Sequence, residues 1–175
     1  NASEILGHPA YPSLDALPVT PDLVNVFRRP EDLPAVLDLL ARAFPGEDLR
    51  PLVLALATRA DQVVSLGAVL DGALVGHVML TRCATPGAAG ALLGPLSVDT
   101  EVRGCGIGRL LVDTGLARLA EAAVRQVFVL GDPRFYGRLS FAAESQVLPP
   151  CPLPVAWRDA WQSRIIAGHP LTPAA

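Results

Sequence analysis

Lysine is missing from the chain: all fourteen basic residues are arginine, set against seventeen acidic ones for a formal net charge of −3. With 18% charged residues, 51% hydrophobic residues and no basic excess, neither composition-driven disorder nor nonspecific nucleic-acid binding is expected. A chain without lysine also has no Gly-Lys-Ser/Thr, which rules out a Walker A phosphate loop. Cysteine is scarce. Cys83, Cys105 and Cys151 form an odd set with no C-x-x-C pair, and His8, His77 and His169 are far apart. Neither a disulfide framework nor a metal site is expected, and a cytoplasmic location suits that cysteine usage. The longest uncharged, mostly apolar run, Pro86 to Val98, is shorter than the ~18–20 residues of a membrane helix and is interrupted by three glycines, so no membrane span is expected. No basic start followed by an apolar stretch marks a secretion signal, although a chain that opens on Asn1 is compatible with trimming. Glycine (15 residues) and proline (17) stay below the ~25–30% of low-complexity chains and keep no fixed period.

What is present is 175 residues, the size of one compact domain. Residues 1–22 hold four prolines and no sustained apolar period, and are expected to form an extended arm; residues 23–175 are expected to form a single domain. Leu23 to Arg28 reads as a first strand. Pro30-Glu31-Asp32 then supplies acidic first-turn residues for a helix to about Phe44 with Val36, Leu37, Leu40 and Phe44 on its apolar face, and a second helix is expected over Asp48 to Arg59. Val63 to Leu70 and Ala73 to Arg82 are apolar runs joined by Asp71-Gly72, a hairpin signal because type I′ turns need positive φ.

Ala91 to Val98 reads as a buried strand leading through Asp99 to Arg103 into Gly104-Cys105-Gly106-Ile107-Gly108. Ile107, Leu111, Gly115, Leu119 and Ala123 recur every four residues along a long helix, with outward pairs Arg109–Asp113 and Glu121–Arg125. Gln126 to Leu130 reads as a strand, Asp132-Pro133 as the cap and first residue of a short helix through Arg138, and Phe141 to Val147 as another strand. Pro149, Pro150, Pro152 and Pro154 break regular structure, and no element is assigned to Val155 to Ile166. The order β-α-α-β-β-β-α-β-α-β predicts an α/β (α+β) fold, a mixed sheet flanked by helices.

A strand, a glycine-rich turn and a helix N-terminus together form an anion site, because unpaired N–H groups and the positive end of the helix dipole meet there. The alternative is a plain loop in which glycine supplies positive φ. A dinucleotide fingerprint fails on spacing, since Gly104, Gly106 and Gly108 give G-x-G-x-G and Arg109 occupies the third glycine's place.

Arg103-Gly104-Cys105-Gly106-Ile107-Gly108 resembles the Arg/Gln-x-x-Gly-x-Gly/Ala signature of the GNAT superfamily of acetyl-CoA-dependent N-acetyltransferases. Gly94-Pro95-Leu96-Ser97-Val98-Asp99 resembles the family's fourth strand, and Val129 to Phe141 its fifth strand and following helix, so that the resemblance spans about residues 23–148. It implies a mostly antiparallel sheet splayed between those two strands. It also implies acetyl-CoA as cosubstrate, with the pyrophosphate on Gly104, Cys105, Gly106, Ile107 and Gly108, pantetheine beside Leu96, Ser97 and Val98, and Arg103 and Arg109 near the phosphates. Tyr136, in Tyr136-Gly137-Arg138-Leu139-Ser140-Phe141, matches the tyrosine beside the cofactor sulfur and is expected to be the general acid, while Ser140 stands where the family has glycine. His77 is a second catalytic candidate, as proton acceptor or substrate contact, against the bland role of a buried strand histidine. Glu47 and Asp48 are candidates for a cationic acceptor, against that of a solvated helix start. Cys105 is read as filler, because the family transfers the acyl group directly. The implied activity is direct attack of a primary amine, on a small molecule or a peptide, on acetyl-CoA; the rival is a noncatalytic acyl-CoA sensor. No nucleic acid, membrane or metal is implied, and a homodimer is compatible with the resemblance.

Overall fold

The structure, a computed structural model, describes residues 4–5, 8–9, 22–25, 32–85, 88–169 and 171. Apart from β1 (Glu4–Ile5), which pairs antiparallel with β2 (His8–Pro9), and Asp22, the expected N-terminal arm lies outside the described residues, as do Val26 to Arg28 of the expected first strand. The remaining elements are β3 (Asp22–Asn25), α1 (Leu33–Ala43), α2 (Arg50–Ala57), β4 (Val63–Leu70), β5 (Ala73–Thr85), β6 (Ala88–Val98), α3 (Ile107–Glu121), β7 (Gln126–Leu130), α4 (Pro133–Tyr136), β8 (Ala142–Ala143) and β9 (Trp161–Ile165). Strands β3 to β9 hydrogen-bond in the order β3-β4-β5-β6-β7-β9-β8. The β3–β4, β7–β9 and β8–β9 pairs are antiparallel and β6–β7 is parallel, giving the mixed sheet that the element order predicts.

The chain divides into two compact units, Asn1–Met79 with Pro95–Gly115, and Leu80–Gly94 with Leu116–Ala175. In the first, α1 buries Val36, Leu39, Leu40 and Ala43, an i, i+3, i+4, i+7 stripe, and Val36 and Leu40 form a core with Val53 of α2 and Met79 of β5. Pro34 opens α1, where its missing N–H costs nothing, and the first turn carries no acid, so the expected acidic start is corrected. The helix expected over Asp48 to Arg59 is shorter, because Asp48 accepts the Arg50 amide at 3.2 Å and stays outside it. Asp71 and Gly72 turn the β4–β5 hairpin with φ of +50° and +78°, the I′ signature.

In the second unit β7 occupies the expected residues, while Phe141 to Val147 contributes only Ala142–Ala143, since the Glu144 carboxylate accepts the amides of Gln146 and Val147 and turns the chain. The segment left unassigned supplies β9, which pairs with β7 along its whole length. Trp161 stacks on Phe128 with centroids 5.5 Å apart and donates its indole N–H to the Val147 carbonyl at 2.8 Å. α3 ends at Glu121, so Ala123, at φ +61°, lies past the helix, and the i,i+4 spacing expected for Glu121 and Arg125 does not apply.

Candidate active site

β6 pairs with β7 from Gly90↔Gln126 to Leu93↔Val129 and then runs on to Val98, whereas β7 ends at Leu130. Gly94, at φ +146°, opens this departure, and Pro95 follows without an N–H, so the parallel ladder stops where the splay was expected. Leu96, Ser97 and Val98 occupy the departing end. Ser97 is buried and its Oγ lies 3.4 Å from the His77 carbonyl. The Asp99 amide donates to the Val75 carbonyl at 2.8 Å, which holds the chain against β5 just before the glycine turn.

A 3₁₀ turn, Thr100–Val102, is capped by Asp99, whose Oδ1 accepts the Glu101 amide at 3.2 Å. Gly104 and Gly106 then take φ of +80° and +82°, a conformation closed to most side chains, and the first helical bond of α3 runs from the Leu110 amide to the Gly106 carbonyl at 3.0 Å. The N–H groups of Ile107 and Gly108 lie ahead of that bond, with no helical carbonyl four residues back, at the positive end of a fifteen-residue helix. Those donors and glycines fit an anionic group such as a pyrophosphate. The Cys105 Sγ lies 3.9 Å from the Arg103 carbonyl.

The two arginines differ. Arg109 lies 3.9 Å from Asp113 in the expected i,i+4 pair, both half-exposed. Arg103 turns back: its Nε donates to the Val98 carbonyl at 3.2 Å and its Nη2 to the Ala43 carbonyl at 3.1 Å. Arg42 donates through Nε and Nη2 to Asp99 Oδ2 at 3.1 and 2.9 Å. Desolvation pushes the Asp99 carboxyl up, but the Glu101 amide, the Arg42 bond and the charges of Arg42 and Arg103 outweigh it and hold its pKa below the usual carboxylate range. The Arg42–Asp99 link is invisible in the sequence because the two residues stand 57 apart with no local pattern joining them.

His77 is wholly buried on β5, with its Nε2 2.8 Å from the Ser65 hydroxyl on β4, and burial pushes its pKa down to about 4. Asp48 is paired with Arg50 at 2.8 Å, both exposed, while Glu47 is exposed in the same loop.

In the second unit, Asp132 Oδ1 accepts the Arg134 amide at 2.8 Å and Pro133 follows, the expected cap of the helix that carries Tyr136. The Tyr136 ring meets Phe135 and Phe141 edge-on, with centroids 4.9 and 5.6 Å apart, and burial pushes its phenol up to about 12. A Cβ on Gly131 would stand 2.7 Å from Tyr136 Cδ2, so glycine there admits the ring; sequence reading missed it because the clash comes from a residue five positions on. Ser140, which stands at the glycine of the resembled segment, takes φ +61°, a left-handed conformation that favours glycine.

A family described as "CoA binding domain" matches residues 1–80, less than half of the chain and short of the glycine turn. The uncharacterized N-acetyltransferase YjhQ of Escherichia coli K12 is 30% identical over 142 residues, covering 77% of this chain and 72% of the relative. The uncharacterized N-acetyltransferase YhbS of the same strain is 36% identical over 117 residues, covering 64% of this chain and 69% of the relative. The crystal structure of Escherichia coli YhbS, a GNAT family N-acetyltransferase in complex with CoA, superposes with a TM-score of 0.69 at 26% identity, covering 84% of this chain and 82% of that one. A GNAT family acetyltransferase from Brucella melitensis shares the fold, with a TM-score of 0.67 at 24% identity over 88% of this chain and 93% of that one. With the signature turn, the departing fourth-strand equivalent and two relatives matched over more than two thirds of their length, the chain belongs to the GNAT family of N-acetyltransferases.

Proposed function

We propose that the protein transfers the acetyl group of acetyl-CoA to a primary amine by direct attack. The observation that carries this reading is the turn from Arg103 to Gly108, where two positive-φ glycines and the first amides of α3 present N–H donors to an anion. That donor set suits the pyrophosphate of CoA, and the related YhbS is a CoA complex. When bound, acetyl-CoA supplies an activated thioester carbonyl. The main chain from Leu96 to Val98, past the end of the β7 ladder, is assigned to the pantetheine arm, with the amide near Val98 polarising the carbonyl.

The attacking amine must be neutral, and the departing sulfur needs a proton. Tyr136 is assigned as its donor on its place in the family's tyrosine segment. Burial supports the assignment, since a phenol pushed up to about 12 is protonated throughout the physiological range. Against a thiol pKa of ~8.5, complete transfer from such a phenol is uphill by roughly 3 units. Its contribution is therefore a hydrogen bond that strengthens as negative charge gathers on sulfur, the phenol regaining any proton it gives up from the acylated ammonium through solvent. His77, neutral above about pH 4 and held by Ser65, is assigned a supporting role within the sheet, and the amine's proton goes to solvent.

The acceptor is read as a small-molecule amine or a peptide amine, with exposed Glu47, in the loop after α1, a candidate to meet its charge. Incubation with acetyl-CoA and panels of small amines, aminoglycosides and peptides, followed by mass spectrometry, tests the reading. Acetylation of at least one class is expected; CoA binding with no transfer to any of them would make the protein a noncatalytic acyl-CoA sensor.

A further inference from the structure

The arginine that opens the glycine signature turns its guanidinium onto main-chain carbonyls. Its two hydrogen bonds go to carbonyl oxygens: that of Val98, the last residue of β6, at 3.2 Å, and that of Ala43, the last residue of α1, at 3.1 Å. The Ala43 carbonyl belongs to the unsatisfied final turn of α1, at the negative end of the helix dipole, where a cation is favoured. One residue earlier, Arg42 donates to Asp99 at 2.9 and 3.1 Å, and Asp99 caps the 3₁₀ turn that leads into Arg103. The last turn of α1 is thus joined to residues 98–103 by two charge-assisted links of opposite sense: α1 gives a donor through Arg42 and an acceptor through Ala43.

We propose that Arg103 is a positioning residue that, together with the Arg42–Asp99 pair, fixes the glycine turn and the end of β6 to the C-terminus of α1, leaving phosphate recognition to backbone amides. The proposal rests on the acetyl-CoA reading for its consequence but not for its geometry. Because Val98 closes the segment assigned to pantetheine, the tie orients the thioester arm as well as the phosphate cradle. α1 continues into the loop of Glu47 and Asp48, so the same tie sets that loop against the donor site.

The test compares CoA with pantetheine, which lacks every phosphate, by calorimetry on the full chain and its Arg103→Ala, Arg103→Gln and Arg42→Ala variants. A positioning role weakens both ligands by a similar factor, about tenfold for the loss of a charge-assisted hydrogen bond. Arg103→Gln, a neutral donor that can still reach a carbonyl, recovers much of that loss, and Arg42→Ala reproduces the pattern. Loss of CoA affinity alone, with pantetheine unchanged and no rescue by Gln, would make Arg103 a phosphate ligand and overturn the proposal. Hydrogen exchange on the ligand-free protein gives an independent readout: faster exchange at the Ala43 and Phe44 amides in Arg103→Ala supports the tie, and unchanged exchange overturns it. If the wild-type protein binds no CoA, the acetyl-CoA reading falls, and the exchange result still decides the tie.

Discussion

The Tyr136 ring fits between Phe135 and Phe141 in space that Gly131 leaves open, so its position depends on packing that a phenylalanine would share. Tyr136→Phe should therefore keep CoA affinity while turnover falls by about 10²–10³-fold, the usual cost of losing one positioned donor to developing charge; wild-type turnover with acetyl transfer limiting would relegate the tyrosine to packing. His77 makes a different statement, about stability. Its folded pKa, down at about 4, lies below the ordinary 6.5, so below pH 6.5 the unfolded chain takes up a proton that the folded chain refuses. The stability conferred by a neutral His77 is complete above pH 6.5 and drains as the pH falls toward 4, on the order of 3 kcal/mol in all. Denaturant titrations across that window should show the slope, and His77→Gln should flatten it; an unchanged slope in the variant would assign it to other groups.

α3 lies close over β5 because Gly76 has no side chain: a Cβ there would stand 2.7 Å from Ile107 Cγ2 and 2.9 Å from Leu111 Cδ1. Since Ile107 opens α3, that contact also sets the height of the start of α3 over the strand. Gly76→Ala should lower the melting temperature, the cost of overpacking by about 1–3 kcal/mol exceeding alanine's intrinsic advantage in a strand. A variant that melts at or above the wild type would show that the helix rides free of the strand. Elements with a local signal were legible: Asp71-Gly72 announced its hairpin, Asp132-Pro133 its helix, and the glycine signature the start of α3. β9 was not legible, because Trp161 and Gln162 are both buried and no alternation marks the strand. Its place was fixed by pairing with β7 and by the Gln162 amide donating to the Gly131 carbonyl at 3.0 Å, partners 31 residues away. The Arg103 link to Ala43, 60 residues away, was hidden for the same reason: residue type gave a cation at a glycine turn, and only the fold shows which acceptor it meets.

For the molecule as a whole, the proposed CoA site is the turn between β6 and α3, which the match of residues 1–80 to a CoA binding domain does not reach. Because the G-x-G-x-G spacing fails the dinucleotide fingerprint, thermal shifts should show stabilisation by CoA and none by NAD, and comparable shifts with both would point to a dinucleotide site instead. The most direct measurement is the calorimetric affinity of CoA for the Gly108→Glu variant. Gly108 lies in the first turn of α3 and is absent from the positive-φ residues, so glutamate is compatible with the backbone and favourable to the helix dipole. A carboxylate at the start of α3 is expected to compete with the CoA phosphates for the same N–H donors. A variant that melts like the wild type and has lost at least tenfold in CoA affinity is the result this account expects; a folded variant that binds CoA as tightly as the wild type would contradict it.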